Sequence, residues 1–130
     1  MISKGAVINN DIIFKNKLIQ SSCLQGNLQL FQFWLKIRPV LTEKEIIESM
    51  KNSMYRYIDV GYCGSNKKDL IDVIEIMNIL LIRKNIDFNQ SIFENGAESD
   101  LFISIAISKR DFTLINLFNM YGANINLAHF

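Results

Sequence analysis

Along almost the whole chain, apolar residues recur at intervals of three and four, the spacing of one face of an α-helix and not of a strand. The clearest run is Ile46, Ile47, Met50, Met54, Tyr57 and Ile58, with Lys44, Glu48, Lys51 and Tyr55 off the stripe. A chain patterned this way has to bury helical stripes against one another, so the expected class is all-α.

Local signals divide the pattern into pairs. Leu41-Thr42-Glu43-Lys44-Glu45-Ile46 reads as a helix start, in which the Thr42 hydroxyl accepts from the backbone three residues on and Glu45 reaches back. A helix is predicted from Glu43 to about Asp59. Ser65 or Asn66 caps the next, with Leu70, Val73, Ile74, Met77, Leu80 and Leu81 as its stripe, and Gly61 to Ser65 joins the two. On either side the layout repeats. Residues 15–24 lead through Gly26-Asn27 into Leu28 to Leu35, and Ser99 to Ser108 lead through Lys109-Arg110-Asp111 into Phe112 to Met120. Phe102 to Ser108 alternates as a strand would, but an N-cap at Ser99-Asp100 and the helical spacing that follows, up to Gly122, favour a helix. The predicted core includes Leu28, Phe31, Leu35, Ile47, Met50, Met54, Val73, Met77, Leu80, Ile103, Ala106, Ile115 and Phe118. Of the aromatic residues Phe31, Phe33 and Trp34, which cannot all face inward from one helix, part is expected at an edge of the core.

Composition narrows the chemistry. With 130 residues, 49% apolar and 21% charged, the chain is expected to fold as one domain over residues 1–130. Fourteen Lys and Arg against thirteen Asp and Glu give +1, too little field to hold nucleic acid or an anionic membrane. No segment reaches the roughly 20 apolar residues of a membrane span, and no signal-peptide core follows Met1. Cys23 and Cys63 fit no metal or disulfide spacing and read as reduced thiols in a cytoplasmic setting. His129 stands one residue from the end of the sequence, the glycines are scattered singly, and Asp69, Asp72 and Glu75 drift around one helix. No catalytic residue, metal ligand or cofactor site is assigned, and no enzyme is expected.

Gly26-Asn27-Leu28-Gln29-Leu30-Phe31 aligns with Arg110-Asp111-Phe112-Thr113-Leu114-Ile115, each preceded at the same distance by a small residue, Ser22 or Ala106. The final copy, Asp111 to Phe118 followed by Tyr121-Gly122-Ala123-Asn124-Ile125-Asn126, resembles the second half of an ankyrin repeat. Lys84-Asn85-Ile86-Asp87-Phe88-Asn89 looks like a degenerate copy of the same ending. The family's Thr-Pro-Leu-His signature is missing, with Leu101-Phe102-Ile103-Ser104 in its place. Leu28 and Phe112 also lie 84 positions apart, more than two units of about 33 residues. The resemblance therefore implies an ankyrin-like stack of about three antiparallel helix pairs, units about 12–40, 41–89 and 90–130, with the middle unit enlarged. It is a divergent form of the type seen in large DNA viruses and in effectors of intracellular bacteria.

That resemblance implies a non-catalytic protein-protein interaction module, a viral or bacterial factor binding a host protein in the host cytosol. The alternative is an accessory or substrate-recruiting domain of a larger enzyme or effector. Candidate partner-binding residues are Tyr55, Arg56 and Tyr62 on the middle unit, where Tyr and Arg combine off the apolar stripe, and Lys109 and Arg110 in a turn between paired helices. The last unit has no polar capping helix, so the outer faces of Phe112, Leu117 and Phe118 are expected to be covered by more chain, by a homodimer or by a partner.

Overall fold

The computed structural model describes residues 8–63, 67–83, 86–92 and 101–123. Among these it is all-helical: α1 (Asn10–Lys15), α2 (Leu18–Gln25), α3 (Leu28–Ile37), α4 (Glu43–Cys63), α5 (Lys67–Leu81), α6 (Phe102–Ser108) and α7 (Phe112–Met120). The chain divides into two compact units, 1–80 and 81–130.

In the first unit, Asn9 starts α1 by accepting from the Ile12 amide, and the helix stops where Lys17 turns to a left-handed φ of +50°. The expected short helix over 15–24 forms as α2 from Leu18, and α1 precedes it as a separate helix because the left-handed Lys17 redirects the chain. Gly26 and Asn27 join α2 to α3. Pro39 then bars its neighbour from the helical region, so Arg38 takes φ −124°, ψ 80° and α3 stops at Ile37.

The expected helix start at Thr42 forms as read: Glu45 N–H donates to Thr42 Oγ1 at 3.1 Å, and Thr42 N–H donates to Glu45 Oε1 at 2.9 Å. From there α4 continues to Cys63, past the expected end at Asp59, and takes in Gly61 as a helical residue. A glycine within a helix costs only about 1 kcal/mol relative to alanine, too little to end it. The expected cap at Ser65 or Asn66 lies outside the described residues. At 21 and 15 residues, α4 and α5 are the longest helices described.

Three cross-links fix the direction of α2 against α4: Lys17 with Glu48, the Gln20 carbonyl with Asn52, and Gly26 beneath Arg56. Both residue numbers rise together, so the two helices run parallel. Small side chains line the seam between them. Ser22, Cys23, Ser49 and Ser53 are fully buried, and Ser22 and Ser53 return their hydroxyl protons to carbonyls of their own helices, Ile19 and Ser49.

The second unit centres on an aromatic group in which Phe88, Phe102 and Phe118 lie with ring centroids 5.5–6.3 Å apart, all buried. Helix α6 forms where helix was favoured over strand, but its N-cap is Leu101, which offers no side-chain bond, while Ser99 and Asp100 lie outside the described residues. Leu101 also pairs with Ser91 in an isolated antiparallel bridge. At Asp87 the carboxylate accepts from the Asn89 amide, a local turn within the expected degenerate ending.

Of the predicted core, Phe31, Leu35, Met50, Met54, Val73, Met77, Leu80, Ile103, Ala106 and Phe118 are buried, and Leu28, Ile47 and Ile115 are half-buried.

Candidate interaction surface

The α2–α3 and α6–α7 hairpins are built on the same turn. In the first, Gly26 N–H donates to Cys23 O at 3.0 Å and Asn27 N–H to Ser22 O at 3.0 Å. In the second, Arg110 N–H donates to Ile107 O at 2.9 Å and Asp111 N–H to Ala106 O at 3.2 Å. Both are Schellman closures, in which a left-handed residue lets the last carbonyls of the helix find donors. The next residue starts the following helix: Asn27 at φ −92°, ψ 90° accepts from Leu30, and Asp111 at φ −91°, ψ 93° accepts from Leu114. The small residues of the sequence repeat, Ser22 and Ala106, are both fully buried at the same place in the turn.

Within this shared geometry the left-handed residues differ. Gly26 has φ +65°, and a Cβ there would lie 2.9 Å from Arg56 Cγ, 3.0 Å from Arg56 Nε and 3.2 Å from Val73 Cγ2. Arg110 takes φ +53° with a full side chain. The turn that holds it is open to solvent, and Lys109, Arg110 and Phe112 are all exposed, Phe112 to 74%. Asp111 turns its carboxylate back to the Leu114 amide. The tip of the α6–α7 hairpin thus exposes Lys109, Arg110 and the Phe112 ring, with the acidic Asp111 between them.

The other candidate residues lie on α4. Tyr55 is exposed at 36%. Arg56 lays its stem over Gly26, its Nε is buried without a hydrogen-bond partner, and its Nη1 reaches Asp59 at 3.5 Å. That placement makes Arg56 a brace for the α2–α3 turn. Tyr62 belongs to α4, and its side chain lies outside the described part.

The outer face of α7 differs from expectation. Phe118, a predicted core residue whose outer face was expected at the open end, is fully buried because it joins Phe88 and Phe102, and Leu117 is half-buried. Phe112 and Met120, at 74% and 73%, are the exposed apolar residues of that helix. In the first unit, Phe33 is the member of the α3 aromatic group that reaches the surface. It stacks edge-on against Trp34 and lines an open depression of about 480 Å³ with Gln29, Gln32 and Lys36.

Reactive groups are quiet. Burial pushes the Cys23 thiol up to about 12, outweighing the opposing pull of the neighbouring Ser53, Ser49 and Ser22 side chains, so it stays protonated. Burial also raises the Glu45 carboxyl, but hydrogen bonds from Arg38 and Thr42 and the guanidinium charge outweigh it and hold the group below the usual carboxylate range. Arg38 meets Glu45 through two nitrogens, reaches Asn10, and lies 4.8 Å from the centroid of the Phe14 ring. Among the described residues no group of three or more His, Cys, Asp or Glu is placed to hold a metal ion, and no helix is long and apolar enough to cross a membrane. His129 and Cys63 fall outside the described side chains.

Compared with protein-family models, curated proteins and solved structures, the chain matches none.

Proposed function

We propose that this chain is a non-catalytic protein-interaction module of ankyrin-like helix pairs, with its contact surface at the tip of the α6–α7 hairpin. The observation that carries the reading is the exposed set Lys109, Arg110 and Phe112 on a hydrogen-bonded turn. A contact surface needs an apolar anchor that excludes water and a polar group that fixes orientation, and Phe112 and Arg110 are of the types that dominate such surfaces. The ankyrin-like part draws support from two features: the α2–α3 and α6–α7 turns are made alike, and α2 and α4 run parallel, as first helices of successive units do in a stack. Cysteines without a disulfide or metal spacing suit a cytosolic setting, the host cytosol for a viral or effector protein.

A photo-crosslinking residue placed at position 112 of the whole chain, and separately at position 55, tests the reading in cell lysate. Discrete protein adducts are expected from position 112. Adducts from position 55 alone move the surface to α4, and none from either position refutes the interaction reading.

A further inference from the structure

Helix α7 leaves one face open. Phe112, Thr113, Asn116, Asn119 and Met120 are all exposed on it, and the Thr113, Asn116 and Asn119 side chains have no hydrogen-bond partner among the described residues. Phe112, Asn116 and Met120 follow one another at four-residue spacing, one ridge with about 6 Å of rise at each step. The opposite side of the helix is anchored, since Leu114 and Phe118 are fully buried.

Two properties of the face say what covers it. It holds no charge, because the sequence from Phe112 to Ala128 contains no Asp, Glu, Lys or Arg. Exposed apolar residues elsewhere have charged neighbours on their own helix: Phe33 shares its depression with Lys36, and Ile71 has Lys67, Lys68 and Glu75 three and four positions away. A neutral face neither selects a charged partner nor repels a copy of itself.

The order of the face is also the same in both directions. About Asn116, Phe112 is matched by Met120 and Thr113 by Asn119, large apolar with large apolar and polar with polar. Contact across a two-fold axis requires this symmetry, since residue i then meets j and j meets i. With two α7 helices antiparallel, each Phe112 ring meets the thioether of the other copy's Met120, a favourable pairing, and the two Asn116 amides meet at the axis, where each both donates and accepts. The tips from Lys109 to Asp111 stand at opposite ends of such a pair, so identical charges do not face one another.

We propose that a second copy of this chain docks on α7, the two helices crossing antiparallel at Asn116. This rests on the reading of the α6–α7 tip as a contact surface, through Phe112, and names the partner of that surface. A helix of 9 residues is about 13 Å long, so one crossing buries well under the roughly 1,200 Å² of a standard interface, and the dimer is weak and reversible.

Sedimentation equilibrium of the whole chain over a concentration series, with reductant to keep thiols from linking copies, tests the proposal. The average mass is expected to rise from 15.0 kDa toward twice that value. Asn116→Lys and Asn116→Glu each set like charges against each other at the axis and should weaken association at least tenfold, while an equimolar mixture of the two restores it. Lys and Glu are better helix formers than Asn, so both variants fold, which circular dichroism checks. Phe112→Ala should weaken association about tenfold. A mass that stays at 15.0 kDa up to about 1 mM protein overturns the proposal. So does a dimer that Asn116→Lys leaves intact, or a mixture of the two charged variants that stays monomeric. If position 112 cross-links to another protein while the native chain stays monomeric, the second copy falls and the interaction reading stands.

Discussion

The α2–α3 and α6–α7 hairpins share a backbone and differ in what surrounds it. At Gly26 the turn is pressed under Arg56 and Val73, so sterics and conformation both demand glycine. At Arg110 the turn is free, so conformation alone speaks, and it is overruled. The exits differ as well. Position 38, at the end of α3, is an arginine clamped to Glu45 and laid over Phe14, whereas the position aligned with it in the second hairpin is Gly122, at φ +104° with nothing within 4 Å of where a Cβ would stand. One hairpin is a structural joint, fixed at both ends. Its counterpart has an exposed tip at Lys109 and Arg110. Of two turns made alike, the one whose left-handed position is not packed under a neighbour leaves that side chain exposed.

The largest expected effect breaks the joint. Gly26→Ala puts a methyl into the space of the Arg56 stem and forces a left-handed alanine, and denaturant unfolding should show a loss of about 2–4 kcal/mol. Combining it with Arg56→Ala should recover the overpacking part and leave the conformational part, a coupling that a double-mutant cycle reads directly. Arg110→Ala should be close to neutral, because it exchanges one strained residue for another in open space. If Gly26→Ala costs no more than Arg110→Ala, the two turns are equivalent and the comparison fails.

A smaller effect concerns the exit clamp. Glu45→Gln keeps the shape but removes a charge from the bonds to Arg38, which should cost about 1–2 kcal/mol at neutral pH. Because folding depresses the Glu45 carboxyl, its contribution is complete above the usual carboxylate range and is lost as the pH falls through that range toward the folded value. Thermal melts should show native and Glu45→Gln chains far apart at pH 7 and converging in acid. A gap that is constant with pH would show that the Glu45 charge contributes nothing to the clamp.

These contrasts mark where the sequence could be read and where it could not. Caps are local, so Asn27, Asp111 and the reciprocal Thr42–Glu45 bonds were visible in the residue order, and so was the alignment of Gly26 with Arg110. Periodicity was enough for the helical class and for buried positions such as Met50, Met54 and Ala106. Tertiary facts left no such trace. Nothing near Lys17 signals a left-handed break, and nothing in Ser49 and Ser53 alone distinguishes a buried seam from a wet face until Ser22 and Cys23 are set against them. Arg56 looked like a contact residue because its packing partner, Gly26, lies 30 positions away in sequence. Spacing placed Phe118, and not Phe112, in the core, but the ring cluster with Phe88 and Phe102 that buries it left no trace in the residue order. The exposure of Lys109 and Arg110 was legible because a turn between helices carries its side chains outward whatever the packing behind it.

The smallest effect is also the one that sharpens the comparison most. Arg110→Gly relieves a left-handed residue of about 1–2 kcal/mol of strain, and the unfolded chain regains glycine's wider freedom, which takes back about 0.5–1 kcal/mol. The net expectation is a gain of about 0.5–1 kcal/mol, a shift in melting temperature of a few degrees for a chain of this size. Arg110→Ala is the control for loss of the positive charge, since it removes the same charge while keeping the strain. If glycine stabilises and alanine does not, the native arginine is held at the expense of stability, as expected of a residue kept for contact. If both stabilise equally, the effect is electrostatic and the left-handed turn at Arg110 carries no cost worth explaining.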